Sequence, residues 1–140
     1  MKVLGINRAE ILVRDADAAA DTFTRLFGGG AFTEDHAVSG RPLKCRHDWT
    51  HGLELVEPKD DVDMVGQLML EKGEGTVLTV VYEVESIEDA KRYLLSNGFE
   101  IQYEGNFDHH PDVEVYRQIV VKPRNTFGFR VTFMERRLKA

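Results

Sequence analysis

Three charged side chains at alternating positions of strand-like segments offer the first chemistry in this chain. Arg8 and Glu10 stand two residues apart in one apolar run, and Glu54 stands between two leucines in another. Because side chains alternate across a strand, the apolar neighbours point to one face of a sheet and these three charges point to the other. Arginine presents a fixed fork of donors to a carbonyl or anionic oxygen, and a buried carboxylate near a like charge can exchange protons near neutral pH.

The pattern therefore predicts a catalytic group in which Glu10 or Glu54 moves a proton while Arg8 holds an oxygen. The structural alternative is a simple salt bridge between Arg8 and Glu54, because buried charges need partners. Glu10 has its own alternative as a solvated residue at the rim.

Histidines and aromatic residues add candidates for ligand binding. His47 lies in the third strand-like run and could act as a general base, although a register shift of one residue would turn it to the other face. Trp49 and Tyr116 could line a site for a flat organic ligand or could pack in the core. His109 and His110 lie in a loop between strands, without the spacing of a zinc site, and could form a lid.

The elements that must position these residues occur twice along the chain. A strand followed by a helix runs from Ile6 to Phe27 and again from Val77 to Gly98, and three strand-like runs follow each helix. The predicted runs are 31–38, 43–49 and 52–56 in the first half, and 99–104, 114–121 and 127–134 in the second. Asp15 and Ser86 suit helix N-caps, because a short side-chain oxygen can accept from the free N–H groups of the first turn. The expected fold class is α+β, with two βαβββ modules in a single domain over residues 1–140: residues 5–57, a linker at 58–75 with a short helix around 62–72, and residues 76–136.

Composition excludes several classes of function. The 140 residues carry a net charge of −6 with dispersed basic side chains, so nucleic acid and membrane are not expected as partners. No apolar run is long enough to cross a bilayer, and the N-terminus reads directly into a strand without a signal peptide. A single cysteine, Cys45, is consistent with a reducing interior, so we expect a cytoplasmic protein.

The chain resembles the vicinal oxygen chelate superfamily, which includes glyoxalase I, methylmalonyl-CoA epimerase, extradiol dioxygenases and bleomycin-resistance proteins. The resemblance extends over almost the whole chain and is closest to the epimerase and glyoxalase branch. It is carried by four segments in order: Leu53-Glu54-Leu55-Val56-Glu57-Pro58, Leu70-Glu71-Lys72-Gly73-Glu74-Gly75, Tyr82-Glu83-Val84, and Pro123 through Thr126 to Gly128. The resemblance implies that the two modules form a curved mixed-sheet cup around a ligand site.

The resemblance also implies four metal-ligand positions, which here hold Arg8, Glu54, Thr79 and Thr132. Only Glu54 matches the expected ligand types. Arginine has no acceptor atom, and a threonine hydroxyl is a poor ligand for transition metals. The divalent metal of the family is therefore predicted to be absent, with no other cofactor in its place, and Thr79 and Thr132 are assigned to ligand binding instead.

Three functions follow from the resemblance and stay open at this stage. The first is a metal-independent lyase or isomerase that acts on a small organic molecule. The second is a non-catalytic protein that sequesters its ligand, as bleomycin-resistance proteins do. The third is a metal-dependent epimerase, lyase or dioxygenase with rearranged ligands, drawn from Glu10, Glu54 and a loop histidine. In each case a homodimer is expected, because sheet edges are usually covered or paired.

Overall fold

The structure is a computed structural model that describes residues 1–34, 40–108, 111 and 113–140. Over these residues the chain is α+β, as the sequence predicts. The strands are β1 Val3–Leu12, β2 Thr33–Glu34, β3 Leu43–Asp48, β4 Leu53–Pro58, β5 Val77–Val84, β6 Ile101–Asn106, β7 Val113–Val121 and β8 Val131–Leu138. The helices are α1 Ala16–Leu26, α2 Met64–Lys72 and α3 Ile87–Ser96, with a short 3₁₀ turn at Pro123–Thr126.

The chain divides into two compact units whose limits fall inside β1 and β5. We call residues 8–78 the first unit and residues 1–7 with 79–140 the second unit. In the first unit, β1 pairs in parallel with β4, and β3 pairs antiparallel with β4 and β2. In the second unit, β5 pairs in parallel with β8, and β7 pairs antiparallel with β8 and β6. The predicted βαβββ order is therefore present twice.

Both predicted N-caps are confirmed. The Asp15 side chain accepts a hydrogen bond of 3.0 Å from the Ala18 N–H, and the Ser86 hydroxyl accepts one of 3.2 Å from the Asp89 N–H. Each cap satisfies a donor that the first helical turn leaves without a backbone partner. The caps fix where the chain turns from strand to helix in each unit.

Helices α1 and α3 each cover one face of the sheet in their own unit and leave most of the other face open for a site. The core cluster between α1 and its strands contains Val13, Ala16, Ala20, Phe32 and Leu55. The core cluster between α3 and its strands contains Val84, Ile87, Ala90, Leu94, Ile119 and Val121. On the opposite face of the first unit, Val65 of α2 packs with Leu12, Cys45 and Val56 and closes one end. The other end of that face carries the charged side chains.

Several predicted strand limits shift in the structure. The last strand, predicted from Phe127, begins at Val131, because Phe127 has a left-handed φ of 60° directly after the 3₁₀ turn. The first strand begins at Val3 rather than at Ile6, and it ends at Leu12, before the predicted helix cap Asp15. The predicted strand at 31–38 lies partly outside the described residues. No helix in the described part of the chain is long and apolar enough to span a membrane.

Candidate functional site

Four polar side chains meet on the face of the first unit that lies away from α1. The register places Glu10 of β1 beside Glu54 of β4, and His47 of β3 opposite Glu54. Directly paired residues of neighbouring strands point to the same side of a sheet, and Arg8 precedes Glu10 by two residues. We call Arg8, Glu10, His47 and Glu54 the charged face.

Arg8 is tied to both carboxylates through different nitrogens. Its Nη2 lies 2.9 Å from Glu10 Oε2, and its Nε lies 3.2 Å from Glu54 Oε1. The exposed fraction of the side chain is 1% for Arg8, 4% for Glu54 and 12% for Glu10. The predicted contact between Arg8 and Glu54 is confirmed, and Glu10 is an ion-pair partner of Arg8 rather than a fully solvated residue at the rim.

His47 and Trp49 add an aromatic side to the charged face. His47 is fully buried, and its Nδ1 lies 3.6 Å from Glu54 Oε1. Its ring centroid lies 3.7 Å from that of Trp49, which follows β3 directly. The Arg8 Cζ lies 6.0 Å from the Trp49 ring centroid, at the outer limit of a cation–π contact. The register question is settled, because His47 points to the same side as Glu54.

In the second unit, the corresponding face carries hydroxyl groups. The Thr79 and Thr132 hydroxyl oxygens lie 3.0 Å apart, and the Thr79 hydroxyl donates to the Arg130 carbonyl at 3.0 Å. Both threonines are buried, with 5% and 2% of their surface exposed. These hydroxyls therefore bond to one another and to the backbone within the sheet. We call Thr79, Thr132, Met134 and Tyr116 the hydroxyl face.

Tyr116 packs inside the second unit. It is fully buried, its hydroxyl accepts a hydrogen bond of 3.1 Å from Gln118 Nε2, and Phe107 meets its ring edge-to-face at 5.5 Å. The Tyr116 N–H donates to Asp108 at 2.9 Å, and this bond lowers the pKa of the Asp108 carboxyl; burial opposes the shift, and Arg117 adds to it. Of the two readings of Tyr116, the structure places it in the core.

Of the four positions at which the resemblance implies metal ligands, three hold side chains that are poor ligands and one holds Glu54. Arg8 is a permanent cation that contacts two carboxylates, and Thr79 bonds to Thr132 and to a backbone carbonyl. Among the described residues, no group of three His, Cys, Asp or Glu side chains is arranged to hold a metal. His109 and His110 lie outside the described residues, so their predicted role as a lid or as metal ligands stays a prediction.

One further polar pair lies in the turn between β3 and β4. The Asp48 carboxylate accepts hydrogen bonds from the N–H groups of Thr50 and His51, at 2.9 Å and 3.0 Å, and lies 2.7 Å from His51 Nδ1. The sequence pattern alone does not single out this pair. The signal that could have found it is the spacing Asp-x-x-His in a turn, which brings a carboxylate to the next imidazole.

The fold matches those of several solved structures. A hypothetical protein from Bacillus halodurans aligns with a TM-score of 0.77 at 16% identity, covering 96% of each chain. Methylmalonyl-CoA epimerase from Mycobacterium tuberculosis aligns with a TM-score of 0.77 at 17% identity, covering 95% of this chain and 88% of that one. The chain shares the fold of methylmalonyl-CoA epimerases. A Streptomyces coelicolor epimerase in complex with 2-nitronate-propionyl-CoA aligns with a TM-score of 0.75 at 16% identity, covering 96% and 98% of the chains.

Sequence comparison adds no closer assignment. No family model matches the sequence, and the comparison with curated proteins finds no match. At 16–17% identity the structural likeness describes the backbone, and function must be argued from the site.

Proposed function

We propose that this chain binds a small organic molecule at the charged face and converts it as a metal-independent lyase or isomerase. The observation that carries the proposal is the buried Arg8 held between the carboxylates of Glu10 and Glu54. In the proposed reaction, Glu10 accepts a proton from a carbon next to a carbonyl group. Arg8 stabilises the negative charge that develops on the carbonyl oxygen.

The two carboxylates have different roles in this proposal. Glu54 is the more buried and lies close to both Arg8 and His47, so it orients the guanidinium. Glu10 is the more exposed and is therefore the better placed to reach a bound molecule. Returning the proton to a carbon gives an isomerase, and expelling a leaving group from the neighbouring carbon gives a lyase.

The proposed substrate class is a carbonyl compound with an acidic C–H bond. The support is twofold. A guanidinium beside a carboxylate suits removal of a proton next to a carbonyl. The solved epimerases of the same fold include complexes with methylmalonyl-CoA and with 2-nitronate-propionyl-CoA, both of which are acyl compounds. His47 and Trp49 remain proposed ligand-binding residues at this face. Ligand binding by Thr79 and Thr132 stays a separate, untested prediction for the second unit, and Tyr116 lies in the core of that unit.

Exchange of substrate hydrogen with solvent tests this proposal. A panel of acyl thioesters and 2-substituted carboxylic acids is incubated with the protein in D₂O, and loss of the α-proton signal is followed by NMR. We expect Glu10→Gln to lower the exchange rate of an active compound by about 10²- to 10⁴-fold, because the amide cannot accept the proton. Glu114→Gln is the matched control, since Glu114 is 61% exposed and pairs with Arg137 at the surface.

An exchange rate for Glu10→Gln equal to that of the control variant would exclude Glu10 as the base. The same panel is screened by thermal shift, which detects binding without turnover. A compound that raises the melting temperature but exchanges no proton would favour the second candidate, a binding protein of the resistance type. The Trp49 ring favours that candidate, because it is only partly buried and packs on His47 at the charged face, where it can offer a flat surface to an organic ligand.

We also propose that the protein forms a homodimer through α2 and the residues before it. Three apolar side chains of this region are exposed, with fractions of 82% for Val62, 46% for Met64 and 69% for Leu70. Clusters of exposed apolar side chains often mark an interface. Light scattering at micromolar concentration is expected to give the mass of two chains, and a mass of one chain that stays constant on concentration would exclude the dimer.

A further inference from the structure

The turn between β3 and β4 holds His51 in one orientation. The Asp48 carboxylate is 1% exposed and lies 2.7 Å from His51 Nδ1. It also accepts the N–H groups of Thr50 and His51, so its position is fixed by the backbone. Because a carboxylate accepts hydrogen bonds, this contact assigns the proton of the neutral imidazole to Nδ1 and the lone pair to Nε2.

The packing around this pair keeps the imidazole in place and leaves its outer edge accessible. A Cβ added at Gly30, whose φ is +106°, would lie 2.9 Å from His51 Nδ1 and 3.0 Å from Asp48 Oδ2. Only glycine therefore allows this close approach. The Phe27 ring lies beside the imidazole, with 4.9 Å between centroids. The His51 side chain is 33% exposed, and its Nε2 makes no hydrogen bond with any residue that the structure describes.

We infer that His51 is a nucleophilic site for acyl groups, separate from the charged face. In an Asp–His pair the carboxylate orients the imidazole and stabilises the positive charge that develops when Nε2 attacks. When an acyl group is transferred to Nε2, the positive charge stays on the imidazole ring beside Asp48. A phosphoryl group would instead place negative charge near the same carboxylate, so an activated ester or thioester is the substrate class that fits. Phe27 offers an apolar surface for an aryl leaving group.

The steps balance without a cofactor. The Nε2 lone pair forms a C–N bond with the ester carbonyl carbon, the ester C–O bond breaks, and the phenolate leaves. The N-acylimidazolium keeps its Nδ1–H on Asp48. Water then attacks the acyl carbon and loses a proton to the solvent, the C–N bond breaks, and the ring recovers its lone pair. The solvent returns one proton to the phenolate. The net reaction is hydrolysis of the ester to a carboxylic acid and a phenol.

Two probes test the site in the full-length chain. The first is p-nitrophenyl acetate, whose hydrolysis is followed by release of nitrophenolate; His51→Gln is expected to lower the protein-dependent rate by about tenfold or more. The second is diethyl pyrocarbonate, whose reaction at His51 is timed by peptide mass spectrometry. Asp48→Asn keeps an acceptor for the two N–H groups but removes the charge, and it should slow carbethoxylation of His51 several-fold.

The rate of His51 carbethoxylation in Asp48→Asn distinguishes a role of Asp48 in positioning the imidazole from a role in holding the turn. If Asp48 only held the turn together, its loss would expose His51 more and its reaction would not slow. Equal carbethoxylation rates in Asp48→Asn and the parent chain would overturn the inference. So would ester hydrolysis by His51→Gln at the parent rate. Glu114→Gln again serves as the control and should match the parent in both assays.

Discussion

The charged face and the hydroxyl face occupy the same positions of a repeated module, yet they satisfy their polar groups in different ways. Arg8 and Glu54 in the first unit form an ion pair that also includes Glu10. Thr79 and Thr132 in the second unit bond to one another and to a backbone carbonyl. The stability of a buried ion pair depends on every charged partner, because the loss of one leaves an uncompensated buried charge. A buried hydroxyl is satisfied by a single nearby acceptor. The chemistry that moves protons is therefore expected in the first unit.

The largest expected loss in the free energy of unfolding comes from substitution of Arg8 on the charged face. Arg8→Ala leaves the carboxylates of Glu10 and Glu54 together in a buried place without their guanidinium. Breaking a buried ion pair from one side costs ~3–5 kcal/mol, so the free energy of unfolding should fall by that amount. Urea denaturation followed by circular dichroism measures the change.

Arg14→Ala is the matched control for this substitution. The Arg14 side chain is 74% exposed and its closest carboxylate oxygen, on Glu74, lies 3.9 Å away. An exposed pair of this kind contributes about 0–1 kcal/mol. Equal losses of stability for the two alanine variants would mean that Arg8 is solvated and that the charged face does not form.

Alternation along the strands was enough to predict which residues share the charged face. The side of Arg8, Glu10 and Glu54 follows from the leucines and other apolar residues next to them in sequence. The side of His47 was uncertain, because its strand is not strictly alternating and a shift of one residue reverses the face. Pairing with β4 resolves this, since His47 lies opposite Glu54.

The conformations of turns, and contacts between residues far apart in the sequence, could not be predicted from the alternation of apolar and polar residues. The late start of β8 depends on the left-handed conformation of Phe127, which sequence rules assign to glycine. The close packing of Gly30 against Asp48 and His51 joins segments that are about twenty residues apart. The approach of Glu10 to Arg8 depends on side-chain conformation, which alternation alone does not specify.

A smaller effect is expected on the hydroxyl face. Thr132→Val removes one hydroxyl but keeps the shape of the side chain, and the Thr79 hydroxyl still donates to the Arg130 carbonyl. The loss should be about 0.5–1.5 kcal/mol, which is the net value of one ordinary hydrogen bond. The same denaturation assay applies. A loss as large as that of Arg8→Ala would remove the energetic distinction between the two faces.

The smallest expected effect is the pH dependence of stability that comes from the Asp108 carboxylate, which accepts a hydrogen bond from the Tyr116 N–H. The Tyr116 N–H lowers the pKa of Asp108, so the folded value lies below the ordinary value of about 3.9. A lowered folded pKa stabilises the protein above the unfolded pKa, and the gain is lost as the pH falls through the folded pKa. Because Asp108 is 34% exposed, the gain is screened and should stay under about 1 kcal/mol.

Asp108→Asn tests this effect. We expect the parent to exceed the variant in free energy of unfolding at pH 7, and the difference to shrink below about pH 4. Urea titrations at several pH values measure both curves. A difference that grows on acidification would reverse the assigned sign and show that protonated Asp108 is the form that the fold favours.

Metal content tests the central claim most directly, namely that the charged face is an ion-pair site around Arg8 and not the metal site that the resemblance implies. The protein is purified without chelators, and zinc, nickel and cobalt are measured by elemental analysis against protein concentration. Because a guanidinium cannot coordinate a cation and three of the four family positions lack a suitable donor, we predict far less than one metal ion per chain. A content of about one transition-metal ion per chain would contradict the account.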